Sequence, residues 1–137
     1  MRKIMTSEAF LQGIEQFNQR EFYACHDTLE AIWIEAAESD KRFYQGILQV
    51  AVACYHLTNH NWRGAVILLG EGVRRLRDYQ PDHETINVTQ LLEESQALLK
   101  YLQQSDPHRV AEVAQTLQES SDNSPHHFPR IVKLVES

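Results

Sequence analysis

Between Tyr44 and Trp62 the chain carries no Asp, Glu, Lys or Arg. Apolar residues in this stretch recur every three or four positions, which is the period of a helix and not of a strand. A helix that avoids charge on every side is normally enclosed by its neighbours. At roughly 100° per residue, Phe43, Ile47, Val50, Cys54 and Leu57 define one face. Gln45, Gln49 and His56 gather on nearly the opposite one, beside Val52 and Ala53. Both faces are therefore expected to be covered, inside the monomer or at a subunit contact. The three polar side chains then need partners, because each unsatisfied buried group costs about 1–3 kcal/mol.

The surrounding sequence has the same period. All four prolines (Pro81, Pro107, Pro125, Pro129) lie after residue 80, so the first half contains no helix breaker of that kind. Thr6 or Ser7 can cap a first helix that buries Phe10, Leu11, Ile14 and Phe17. A second helix spans about Glu21 to Ala37, with Phe22, Cys25, Leu29, Ile32, Trp33 and Ala36 as its stripe. The charge-free third runs from about Asp40 to Leu57. Asn59 or Asn61 opens a fourth, in which Gly64, Gly70 and Gly72 read as close-packing points. Asn87 and Gln90 resemble a capping box before a fifth, and Asp106-Pro107 starts a shorter sixth. The expected architecture is an all-α, single-domain helical bundle of about five to six helices over residues 1–119. Residues 120–137 follow as a polar linker and a short C-terminal helical segment from Ile131 to Val135.

Composition narrows the function classes. Lys and Arg total 13 against 19 acids, a net charge of −6, which argues against nucleic acid as a partner. No apolar run is long enough to span a bilayer, and the first residues lack the apolar core of a signal peptide, so a cytoplasmic location is expected. Cys25 and Cys54 sit within apolar patterns and read as reduced, buried thiols. Arg74, Arg75 and Arg77 form the dense basic cluster, placed to complement the dipole at the end of the fourth helix. His126 and His127 fall in the polar linker and are expected to face solvent.

The candidate site lies on the second helix. His26 and Glu30 are four residues apart, hence adjacent on one helical surface, with Trp33 a turn further along. Such a pair can hydrogen-bond, or both members can bind one cation. Adding His56 gives two nitrogens and one oxygen, a set suited to zinc or iron(II). The alternative is a satisfied polar network of His26, Glu30, Gln45 and Gln49 that only orders helix packing. The Glu-x-x-His pairs of di-iron bundles, the His-Glu-x-x-His zinc motif, phosphate loops and nucleophile elbows are all absent from the sequence.

The run Phe22-Tyr23-Ala24-Cys25-His26-Asp27-Thr28-Leu29-Glu30-Ala31-Ile32-Trp33 resembles the His-x-x-x-Glu-x-x-Trp/Tyr signature of the bacterial and archaeal family known as domain of unknown function 309. The similarity continues through Arg42 to Gln49, Tyr55-His56, Asn61 and Gly64-Ala65, and covers about residues 10–80. The resemblance implies a compact helical bundle without an established activity, whose signature, here His26 and Glu30, is a suggested metal binder. Members often carry Glu directly after the histidine, where this chain has Asp27. The side chain of Asp27 is expected to point away from the His26 flank.

Three functions follow as expectations. One is a metal-assisted hydrolase or related enzyme in which His26, Glu30 and His56 hold a divalent ion that activates water. Another is a non-catalytic helical module, self-associating into a homo-oligomer, with His26 and Glu30 in a structural network. The last is a small-molecule binder whose ligand pocket is lined by Trp33, Tyr44, Gln45, Gln49 and Tyr55. The reaction, if any, and the ligand are not written in the sequence.

Overall fold

The computed structural model describes residues 7–134, and helices account for most of that backbone. In chain order these are α1 (Glu8–Asn18), α2 (Phe22–Glu35), α3 (Glu38–Thr58), α4 (Trp62–Leu76), α5 (Val88–Gln103) and α6 (Val110–Gln118). A small hairpin, β1 (Asp82–His83) and β2 (Ile86–Asn87), separates α4 from α5. The fold is an all-α bundle with that one antiparallel ribbon.

The caps follow the sequence closely. Ser7 Oγ accepts from the Phe10 amide at 3.1 Å, while Thr6 lies outside the described residues. Asn61, rather than Asn59, caps α4 through the Gly64 amide at 2.9 Å. Asn87 accepts from the Gln90 amide at 2.9 Å, but the Gln90 side chain turns to Glu94. The capping box is therefore half made. Asp106 accepts from the His108 amide, and Pro107 opens a 3-10 turn that runs into α6.

α3 is the axis of the bundle, packed along α2 on one side and α4 on the other. Phe43, Ile47, Val50, Cys54 and Leu57 are fully buried, as the charge-free pattern requires, and no residue from Tyr44 to Thr58 is exposed. Burying each large side chain contributes about 1.5–3 kcal/mol. The α3–α4 seam is close because glycines meet there. A Cβ on Gly72 would stand 2.8 Å from Val50 Cγ2 and 2.9 Å from the Gly46 carbonyl oxygen. Gly64 lies under the Asn61 cap in the same way. Gly70 does not fit this pattern: nothing lies within 4 Å of its Cβ position, so it is not a packing point.

Two segments depart from the sequence reading. Glu84 and Thr85 adopt left-handed φ of 48° and 67° and close a two-residue hairpin. Such turns usually announce themselves by Asn-Gly or Asp-Gly, which this chain lacks here. The C-terminal segment expected to be helical is extended from Ile131 to Leu134, with Val135 outside the described residues. Lys133 bridges Ile86, the Asn87 amide donates to Val132 O, and the Leu134 amide donates to Thr85 O, both at 2.8 Å. The Asn18 carboxamide completes the anchoring, exchanging two 2.8 Å hydrogen bonds with the Ile131 backbone. Pro129 offers no amide to a helix, and these long-range partners satisfy the backbone that follows it. Among the described residues no helix is long and apolar enough to cross a membrane.

Candidate functional site

Cys25 and Leu29 are fully buried, which turns His26 and Glu30 to the flank of α2, one helical turn apart. His26 Nε2 stands 3.2 Å from Glu30 Oε2, with 28% of the imidazole and 51% of the carboxylate side chain exposed. Asp27 does not point away from this pair. Its Oδ1 lies 3.1 Å from His26 Nδ1, so the ring is held between two carboxylates, one at each nitrogen. Both ring nitrogens are thus engaged by carboxylates, which fixes the orientation of the imidazole on the α2 flank.

His56 does not join them. It sits in the last turn of α3, where Nδ1 meets the Asn61 carboxamide at 3.3 Å and the ring edge covers Gly64. Among the described residues, the one set of three or more His, Cys, Asp or Glu donors within 4.8 Å of one another is Asp40, His83 and Glu84. His26 and Glu30 therefore offer two adjoining donors, one short of the three protein ligands of a catalytic zinc site. The zinc or iron centre expected from His26, Glu30 and His56 is not assembled, because α3 carries His56 to the bundle end where it serves the α4 cap.

What Glu30 does border is a groove of about 270 Å³ between α2 and α4, with α3 as its floor. Its lining is Glu30 and Trp33 from α2, Gln45, Leu48, Gln49 and Val52 from α3, and Leu68 from α4. The polar strip of the charge-free helix thus faces a cleft rather than a core. Gln49 is 8% exposed and tethered at both ends of its carboxamide. Arg75 Nη1 donates to Gln49 Oε1 at 3.0 Å, and Gln49 Nε2 approaches Glu71 Oε1 at 3.5 Å. Arg75 consequently turns inward, unlike its exposed neighbours Arg74 and Arg77, and is not simply a dipole complement. Glu71 and Arg75 were not legible as site residues; their i,i+4 spacing was a signal, but an ambiguous one. Lys41 Nζ stands 5.3 Å from the centre of the Trp33 ring.

Of the five residues expected around a pocket, Trp33, Gln45 and Gln49 share this groove with Glu30, and two do not. Tyr44 is one residue, and so about 100° of helix, from Gln45. It packs edge-on against Phe10 at 5.2 Å and Phe43 at 5.2 Å, with the Glu84 carboxylate near its hydroxyl. Burial first, and then the Glu84 and Asp40 carboxylates, push its pKa upward. Tyr55 instead meets Tyr23 at 5.2 Å on a separate, shallow surface. In the linker His126 is exposed but stacks on Tyr101 at 3.8 Å, and His127 is half-buried. Cys25 and Cys54 are free and buried, and burial raises the Cys25 thiol to about 12 and Cys54 further still.

Residues 10–68 match the family described as "Domain of unknown function (DUF309)", the family that His26, Glu30 and Trp33 resemble. The chain is also 32% identical over 84 residues to the "Uncharacterized protein YpuF" of Bacillus subtilis (strain 168). That similarity covers 60% of this chain and 47% of the relative, so the chain spans about half the length of the curated protein it matches. No solved structure matches it.

Proposed function

We propose that this chain, a member of the DUF309 family through residues 10–68, is a small-ligand-binding protein whose site is the groove between α2, α3 and α4. The observation that carries this reading is the convergence of Glu30, Trp33, Gln45 and Gln49 on one cleft whose remaining walls are aliphatic. Its volume of about 270 Å³ lies just below the usual range of small-molecule sites, ~300–1,000 Å³, and fits a small ligand. An apolar wall with a few fixed polar groups selects a small, mostly apolar molecule with one polar head. Glu30, half-exposed and steadied by His26, would receive a hydrogen-bond-donating or cationic head such as an amine. Gln49, pinned by Arg75, would orient the ligand rather than adapt to it. In this reading His26 and Glu30 bind and position; no bond is made or broken.

Trp33 and Trp62 are the two tryptophans. A Trp62→Phe background therefore isolates Trp33 emission, which is titrated with a panel of aliphatic and aromatic amines. Saturable shifts are expected, weakened about tenfold by Glu30→Gln. Emission that no amine in the panel changes, in a variant whose helicity is intact, overturns the proposal.

A second reading, self-association through this face, is favoured by Ile34 and Ile67, 60% and 51% exposed on the two helices that wall the groove. Light scattering across protein concentration tests it. A monomer at every concentration excludes it.

A further inference from the structure

A second set of donors lies apart from the groove, on the α1-facing side of α3. Asp40 stands in the first turn of α3, His83 ends β1, and Glu84 follows in the hairpin turn. His83 Nε2 is 2.7 Å from Asp40 Oδ1, and one donor atom from each of the three residues lies within 4.8 Å of the others. All three are half-buried, so the cluster is held by the fold yet open to water.

We propose that Asp40, His83 and Glu84 form a binding site for a divalent transition-metal ion. Two carboxylates are gathered on one imidazole, and among the described residues neither forms an ion pair with Lys or Arg. Like charges at this spacing repel, and a divalent cation removes that repulsion. Each ligand is held from behind. The His83 ring lies between Phe43 at 4.7 Å and Tyr79 at 4.8 Å, and Tyr44, only 7% exposed, sets its hydroxyl near Glu84. Tyr79 in turn donates to Ser39 O beside Asp40. Outer contacts of this kind orient metal ligands.

The donor set selects the ion. One imidazole nitrogen with two carboxylate oxygens suits manganese, iron(II), cobalt(II) or zinc more than calcium or copper(I). Donors on one such ion stand about 3–3.5 Å apart, from bond lengths of ~2.0–2.2 Å. The 2.7 Å pair need open only slightly to meet that spacing, and the third donor, within 4.8 Å of the others, would be drawn inward by the ion. Binding would displace the Nε2 proton that His83 now donates to Asp40, releasing it to solvent. Water would complete the coordination shell on the open side. His83 and Glu84 lie beyond residues 10–68, so this site is independent of the family signature.

Cobalt(II) is the probe, added to the full tag-free chain and followed by its visible absorption. One ion per chain is expected in the wild type and in His26→Ala. At least tenfold weaker binding is expected in Glu84→Gln, which keeps the shape of the side chain and should leave the fold intact by circular dichroism. Zinc is expected to raise the Tm of the wild type and not that of Glu84→Gln. The proposal fails if no absorption band develops, if Glu84→Gln binds as tightly as the wild type, or if His26→Ala removes the binding.

Discussion

Two of the described histidines, His26 and His83, meet carboxylates in different ways. His26 and Glu30 share one helix surface, 3.2 Å apart, and the helix alone dictates that they meet. His83 and Asp40 are 43 residues apart in sequence and meet at 2.7 Å only because the hairpin folds onto the start of α3. The first pair is the more exposed, with 51% of Glu30 against 26% of Asp40 open to solvent. Exposed pairs at this spacing contribute about 0.3–0.5 kcal/mol. A half-buried, charge-assisted bond that also pins a loop contributes more, about 1.5–3 kcal/mol at the upper end. Identical chemistry thus makes a local pair on one helix surface in the first case and ties a distant hairpin to α3 in the second.

Both regions rest on α3, so the largest effect should come from parting α3 and α4. Gly72→Val would drive side-chain atoms into Val50 and the Gly46 carbonyl oxygen, which is backbone and cannot rotate away. A loss of about 3 kcal/mol is expected in denaturant unfolding, together with loss of ligand and metal responses. Gly70→Ala is its counterpart. With nothing within 4 Å, the helix gain of about 0.5–1 kcal/mol should appear undiminished. If both substitutions destabilise equally, the seam is not the shared support.

The comparison itself is tested by His83→Ala against His26→Ala. Removing His83 deletes the Asp40 bond and the contacts with Phe43 and Tyr79, and should cost about 2 kcal/mol. Removing His26 should cost about 0.5 kcal/mol or less. Equal losses in thermal unfolding would erase the distinction between a local pair and a tertiary one.

This difference also sets what could be read from the sequence. The α2 pair, the stripes of α1 to α6 and the caps Ser7, Asn61, Asn87 and Asp106 are short-range features, and the helical period exposes them. The groove was partly legible: the polar strip of Gln45 and Gln49 opposite Phe43 and Ile47 marked a face that needed partners. Tyr44 was misplaced because a single helical step separates that face from the core. The Asp40–His83–Glu84 cluster was invisible, since nothing local pairs residue 40 with residue 83, and the Glu84-Thr85 turn lacks glycine or asparagine. The extended tail was hidden for the same reason. Its hydrogen bonds come from Asn18 and from β2, both remote in sequence.

A smaller effect reports on the packing beneath the first pair. Cys25 precedes His26 but faces the core, and burial raises its pKa from 9.0 to about 12. The sign follows from linkage: the unfolded chain loses this proton first as pH rises. The contribution is therefore complete below about pH 9 and lost progressively toward about pH 12. Stability should fall by about 1 kcal/mol between pH 9 and pH 10 from Cys25 alone, and Cys25→Ala should remove about half of the slope that the two buried thiols give there. A wild-type profile already flat there would show that the thiol is not held neutral.

The smallest change in stability should accompany Glu30→Gln, and its value lies in that contrast. The amide keeps the shape of the carboxylate and can still accept from His26, so unfolding free energy should change by no more than about 0.5 kcal/mol. The groove, however, would lose the charge at its mouth while Trp33, Gln45 and Gln49 stay in place. Amine binding read through Trp33 should then weaken about tenfold with Tm unchanged. A fall in Tm with no change in binding would reverse the assignment, making His26–Glu30 a structural network and leaving the groove to its apolar walls. Because Glu30 is not among the Asp40, His83 and Glu84 donors, cobalt binding by the same variant should remain at the wild-type level, separating the two sites within a single protein.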